Sequence, residues 1–384
     1  MSGTRTGGAI TIEVAGRTDV GQRREHNEDA FLVADLSAEA GAQTATEERE
    51  RLLWPARPLG SRGALFLVAD GMGGAAAGEL ASGMASAVVL EEVRRQWADT
   101  DATDPDRFAQ SLRIATEQAN QRIHAHATSH PDTKGMGTTV TLAGLVGDTL
   151  YLCQVGDSRA YLIRRGIATQ ITKDQSLMQR LVDAGELTPE EAEVSERRNI
   201  ILQALGPEAR VKVDLTSQRV QRGDLLVVCS DGLSGQVRGA EMAQLLTAAA
   251  SLDAGCRALI DRANATGGPD NITAIVVRVD GPGLPATMAE IPGYQRYEGP
   301  PQDRATVPID QAAVAAAVAA ATSAAPDAVP ATRVAPTPPP SAPSTPRATP
   351  AKRAAPKSEP SLAPSLTVFA VLVLIFVALG ILLS

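Results

Sequence analysis

The chain has 384 residues and a net charge of −8, with 44% apolar but only 3% aromatic side chains, so its core must be filled with Val, Leu, Ile and Ala. An acidic balance excludes nucleic acid as the main partner, because a phosphate backbone demands a basic footprint. Seven of the 25 prolines lie in residues 1–280 and eighteen in 281–364, which assigns the packed body to the first part. Cys153, Cys229 and Cys256 are odd in number and at no metal-like spacing, so they read as reduced core residues.

Met1–Gly8 has one arginine and no apolar stretch, which is not the pattern of a signal peptide. Ala30–Leu36 reads as a strand entered through Glu28 and Asp29. Residues 37–62 carry arginine and glutamate and read as a surface insertion with at least one helical turn. Gly63–Ala69 is the next strand and runs into Asp70, and Gly78–Gln96 is a helix rich in Ala, Val and Leu. Asp104 followed by Pro105 starts another helix, with Phe108, Leu112, Ala115, Ala119 and Ile123 along one face. Thr139–Val146 and Thr149–Val155 form a hairpin through Gly147 and Asp148, and a second turn is expected at Gly166. Thr188, Pro189 and Glu191 spell a capping box, Asp224–Cys229 is a strand leading to Asp231, and Ile272–Val279 is a strand preceded by Asp270. Successive hairpins imply antiparallel sheet, and separate helical blocks favour α+β layers over a doubly wound parallel sheet.

Past the expected domain, residues 9–280, the Pro/Ala-rich stretch 281–365 cannot bury a core and is expected to be a disordered linker. Leu366–Leu383 contains no charge and is about long enough to span a bilayer. Lys352, Arg353 and Lys357 precede it, so the expectation is a tail-anchored, single-pass membrane protein with its large domain cytoplasmic.

The acids fall where apolar strands end. Glu28, Asp29, Asp70, Asp231 and Asp270 each sit at the rim of a buried strand, where unpaired negative charge is costly and a cation is needed. Hard divalent ions such as Mg²⁺ or Mn²⁺ suit such oxygen ligands, and no His/Cys zinc constellation competes. Two ions could lower the pKa of a water held between them and neutralise a phosphoryl group, so no side-chain nucleophile is needed. Arg24, four residues before Glu28, is the natural clamp for phosphoryl oxygens. Gly71, Gly73 and Ala76 also fit a dinucleotide-binding fingerprint, but Asp70 directly before them would repel a pyrophosphate.

Six segments in order, Arg24–Asp29, Val68–Gly74, Gly135–Thr139, Val155–Arg159, Cys229–Leu233 and Gly268–Thr273, resemble the PPM-type, or type 2C, metal-dependent protein serine/threonine phosphatases of the bacterial kind. The resemblance implies an αββα sandwich with two Mn²⁺ or Mg²⁺ ions at one edge. It implies that Asp70 bridges both ions, that the Gly71 carbonyl binds one, and that Asp231 and Asp270 complete their ligands. Glu28 and Asp29 would bind directly or through waters, and Asp157 with Asp231 would hold a third, weaker ion. Arg24 matches the arginine that contacts phosphate. Met72 stands where eukaryotic members carry a histidine, leaving a metal-bound water or His26 to protonate the leaving group, and Gln175 stands where a histidine is frequent, beside a flap expected at 176–199. The implied reaction is hydrolysis of phosphoserine and phosphothreonine by a metal-bridging hydroxide, opposing a serine/threonine kinase. The alternatives are an inert phosphoprotein-binding scaffold and a two-metal phosphodiesterase.

Overall fold

The computed structural model describes residues 8–37, 42–44, 50–97, 104–195, 197–288 and 290–299, all within one compact unit. The expected linker beyond residue 299 and the expected membrane helix 366–383 lie outside the described residues.

Two antiparallel sheets carry the chain. The first contains β1 (Thr11–Asp19), β4 (Arg51–Pro58), β9 (Arg159–Arg164), β10 (Ile167–Gln170), β12 (Asp224–Cys229) and β13 (Ile272–Asp280), in the order β10-β9-β12-β13-β1-β4. The second contains β2 (Asp29–Asp35), β3 (Ala42–Thr44), β5 (Ala64–Met72), β7 (Val140–Val146), β8 (Thr149–Val155) and β11 (Asp214–Arg219), in the order β11-β8-β7-β5-β2-β3, with β6 (Gly137–Thr138) beside β5. The expected hairpins form as read: Val146 pairs with Thr149, and Arg164 with Ile167.

Alternation along the strands makes four layers. Phe31, Val33, Phe66, Val68, Leu226, Val228, Ile275 and Val277 point between the sheets. Their neighbours Leu32, Leu65 and Leu67 point the other way, onto α1 (Ala75–Trp97) and α2 (Pro105–Ser129). Val227, Cys229, Ala274 and Val276 face α6 (Gly239–Ala248) and α7 (Leu252–Ala265). Central strands are therefore apolar on both faces, which is why they read as continuous hydrophobic runs rather than as alternation. All three cysteines are free and buried, as expected.

Local start signals hold. The Asp104 side chain accepts from the Asp106 and Arg107 amides, and α4 (Pro189–Val194) opens on the full Thr188/Glu191 capping box. Together with α3 (Leu177–Asp183) it forms the flap, closed at its base where Ser176 pairs with Ile201.

Two expectations are corrected. The 37–62 insertion shows no helix among its described residues: it contains β3 and β4, and β4 pairs with β1 while Leu52 and Trp54 enter the inter-sheet core. Nor does packed chain stop at Asp280. Leu284 is buried between the sheets, and Tyr297 meets the Tyr151 ring edge-on at 5.4 Å and bonds Asp106. The Tyr297 amide donates to the Leu215 carbonyl at 2.8 Å, and the Ser217 amide to the Gln295 carbonyl at 3.0 Å, so this segment lies alongside β11. Prolines set the expected boundary, but the apolar residues between them find a surface.

Candidate active site

The sandwich brings one end of β2, β5, β12 and β13 together, and the acids with them. Asp29 begins β2 and lies directly opposite Asp70 near the end of β5, so two carboxylates share one sheet face as a cross-strand pair. Like charges in that register are destabilising. Asp231 starts α5 (Asp231–Ser234) right after β12, Asp270 precedes β13, and Asp157 occupies the turn between β8 and β9. The chain cannot relax away from this crowding. A side chain at Gly71 would meet the Glu28 carbonyl at 2.5 Å, and one at Gly232 would run into the Asn271 carbonyl, so the acid-bearing turns press together backbone to backbone.

Electrostatics report the same convergence. Burial pushes the Asp70 carboxyl well above its ordinary range, and Asp29, Asp231, Asp157 and Asp270 push it further. Asp29 is raised to about 7, first by burial, against hydrogen bonds that include one from the Ser230 hydroxyl at 2.7 Å. Asp157 is raised to about 8 by burial and by the charges of Asp231 and Asp174. Burial and then Asp270 raise Asp231, while a hydrogen bond with Asp70 opposes them. Burial raises Glu28 too, with Arg24 opposing. Among the described residues one carboxylate oxygen of Asp29 and one of Asp157 are buried with no hydrogen-bond partner, a costly state for an acid unless a cation takes it up.

Arg24 stands at the rim, half-exposed, and donates one guanidinium nitrogen to Asp270 Oδ2 at 2.8 Å. A cleft of about 440 Å³ opens there, lined by Arg24, Asp157, Asp231 and Asp270 on one side and by Met178 and Arg198 of the flap on the other. All eight expected site residues thus fall at one edge: Glu28, Asp29, Asp70, Gly71, Asp157, Asp231 and Asp270 with Arg24 beside them. Among the described residues no three His, Cys, Asp or Glu side chains are close enough together to hold a metal ion by themselves. Spaced acids with free oxygens fit ions that fill out their shells with water.

Residues that act through backbone escaped the sequence reading. Asn271 accepts from the Glu28 amide at 2.8 Å and donates to the Val20 and His26 carbonyls, tying the Arg24–Glu28 loop to β13. Thr139 accepts from the Asp70 amide at 3.1 Å and bonds Ser158 at 2.8 Å, linking the Asp70 and Asp157 turns. Their signal was a polar residue directly before a buried apolar strand.

A family profile described as protein phosphatase 2C matches residues 59–266. The chain belongs to the protein phosphatase 2C family. This phosphatase is 34% identical over 265 residues to the serine/threonine phosphatase stp of Listeria monocytogenes, covering 69% of the chain and 94% of that protein. It is 37% identical over 271 residues to the serine/threonine protein phosphatase PstP of Mycobacterium tuberculosis, covering 70% of the chain and 45% of that longer protein. The crystal structure of the M. tuberculosis PstP aligns with a TM-score of 0.57 at 35% identity, over 70% of this phosphatase and 99% of that chain. A structure of the PstP catalytic domain in complex with 2 manganese ions aligns with a TM-score of 0.55 at 35% identity, over 71% and 99%.

Proposed function

We propose that this chain hydrolyses phosphoserine and phosphothreonine on protein substrates with two divalent ions, Mn²⁺ or Mg²⁺, held at the acid-lined edge. One observation carries the reading: four buried carboxylates converge and are pushed up by burial and by one another, and among the described residues two of their oxygens have no hydrogen-bond partner. Asp70, central among the acids, together with Asp29, Asp231, Asp270, Glu28 and the Gly71 carbonyl, would hold the ions, and Asp157 with Asp231 a third. When bound, such ions activate a water as nucleophile near neutral pH and offset the charge of the phosphoryl group.

The chain's own groups do the rest. Arg24 spends one nitrogen on Asp270 and has others to grip phosphoryl oxygens in a planar fork. The cleft between Arg24 and the flap receives the polypeptide that bears the phosphate. Met72 has no proton to give, so protonation of the leaving hydroxyl would fall to a metal-bound water or to His26, which is exposed and near enough to Glu28 to oppose its upward shift.

Leu366–Leu383 would anchor the enzyme in a membrane with its body on the cytoplasmic side, where it would oppose a serine/threonine kinase acting on the same surface. Release of phosphate from a phosphothreonine peptide, with Mn²⁺ and then with chelator, tests the reaction. Absent turnover would favour an inert phosphoprotein-binding scaffold, and turnover that ignores the chelator would overturn the two-ion site. Fractionation of the full chain against one ending at residue 365 tests the anchor, which fails if both remain soluble.

A further inference from the structure

We infer that Gln175 is a positioning residue: it locks the turn that carries Asp157 and fastens that turn to the base of the flap, so that the Asp157 carboxylate and residues 176–201 are held as one unit. The inference rests on reading Asp157 as an acid that holds a cation.

Asp157 is buried, and one of its carboxylate oxygens has no hydrogen bond. That oxygen is therefore placed by the backbone on either side, not by a bond of its own. Gly156 is gripped twice by Gln175: its amide donates to Gln175 Oε1 at 2.9 Å, and its carbonyl accepts from the Gln175 amide at 2.8 Å. Gln154 Nε2 closes the turn from behind, donating to the Gly156 carbonyl at 3.0 Å and the Ser158 carbonyl at 2.7 Å.

The other contacts of Gln175 reach the chain that returns from the flap. Its carbonyl accepts from the Leu202 amide at 2.8 Å, and its Oε1 also accepts from Gln203 Nε2 at 2.8 Å. Its Nε2 donates to the Lys212 carbonyl at 3.2 Å and the Gln154 carbonyl at 3.3 Å. Two residues further on, the Leu177 amide donates to the Ile200 carbonyl at 2.9 Å and closes the flap base. Only a side chain with an acceptor oxygen and a two-hydrogen donor nitrogen can serve both sides at once, and glutamine has the reach. The flap in turn lines the cleft opposite Asp157 through Met178 and Arg198. A flap displaced at that end drags Gln175, and with it the Asp157 turn. A cation on Asp157 resists the same movement.

The test uses the full-length chain, Gln175→Leu and a readout that needs no turnover. Arg197 and Arg198 are exposed in the flap, so trypsin cleavage there, mapped by mass and timed with chelator or with Mn²⁺, reports flap opening. In the natural chain Mn²⁺ should slow this cleavage about fivefold or more, and in Gln175→Leu the slowing should vanish. Calorimetric titration of the same samples should show the weakest Mn²⁺ site of the variant loosened by a similar factor while the tighter sites are kept. A variant that unfolds at lower temperature yet shows undiminished Mn²⁺ protection would make Gln175 a purely structural amide and overturn the inference. Should Gln175→Leu not fold, Asp157→Asn supplies the second arm: protection is expected to disappear, and its persistence would overturn the coupling. A natural chain that binds Mn²⁺ without flap protection sinks the coupling alone; one that binds none sinks the metal site and the coupling together.

Discussion

Strand β12 carries a buried acid at each end, and the two ends are treated in opposite ways. At its start Asp224 is 1% exposed and is met by two nitrogens of Arg164, at 3.0 and 2.7 Å, while the Gln221 amide adds a third bond at 2.8 Å. Just past its other end Asp231 faces Asp70 and Asp270, with no cation in hydrogen-bond contact among the described residues, and burial raises its carboxyl. The chain supplies a matching charge where an acid is structural. Where buried acids instead crowd one another, the uncompensated charge marks the site.

Substitutions at the two ends should separate function from stability, and the largest effect is at the unmatched end. Asp70→Asn is expected to lower kcat/KM on a phosphothreonine peptide by about a thousandfold, measured with saturating Mn²⁺. The same change should raise the thermal midpoint of the metal-free protein, because it removes the carboxylate that four neighbours repel. At the matched end, Asp224→Asn leaves the Arg164 charge buried and uncompensated. It should cost about 3–5 kcal/mol in denaturant unfolding while turnover per folded molecule stays unchanged. If both variants lost stability alike, the contrast between the two ends would be broken.

Acidity sharpens the comparison. The folded-state pKa values of Asp29 and Asp157, about 7 and about 8, lie above the ordinary carboxyl value of about 3.9. The stability linked to their protonation is complete below about pH 4 and is lost as pH rises through the folded values. Metal-free protein should therefore melt at progressively lower temperature from pH 5 to pH 8, and saturating Mn²⁺ should flatten or reverse that slope. The smallest effect belongs to the segment after β13. Tyr297→Ala should destabilise by about 1–2 kcal/mol with kcat unchanged, since the half-buried ring packs far along the chain from the acids.

Much of this was legible in the sequence, for physical reasons. Capping at Asp104 and Thr188, and the turns at Gly147 and Gly166, are local chemistry, fixed by residues a few positions apart. Glu28, Asp29, Asp70, Asp231 and Asp270 were legible because each stands at the tip of an apolar strand, whereas Asp157 came only from the resemblance. Strand β4 was not. Its inward residues are only Leu52 and Trp54, set among Arg51, Pro55, Arg57 and Pro58, and its pairing with β1 joins positions far apart in sequence. Leu284 and Tyr297 were hidden by the prolines around them. Asn271 and Thr139 escaped because they place backbone, and a hydrogen bond to a distant amide leaves no periodicity to read; Gln175 was noticed only through the resemblance, and its double grip on Gly156 was not.

The chain after Asp280 has a further consequence. Strand β11 ends its row, and Gln295–Tyr297 cover the amides and carbonyls it would otherwise present to solvent. An uncovered outer strand is a template onto which another polypeptide can add, and so a seed for aggregation. A catalytic fragment trimmed at Asp280 would bare that template, whereas one carried through residue 299 would keep it masked.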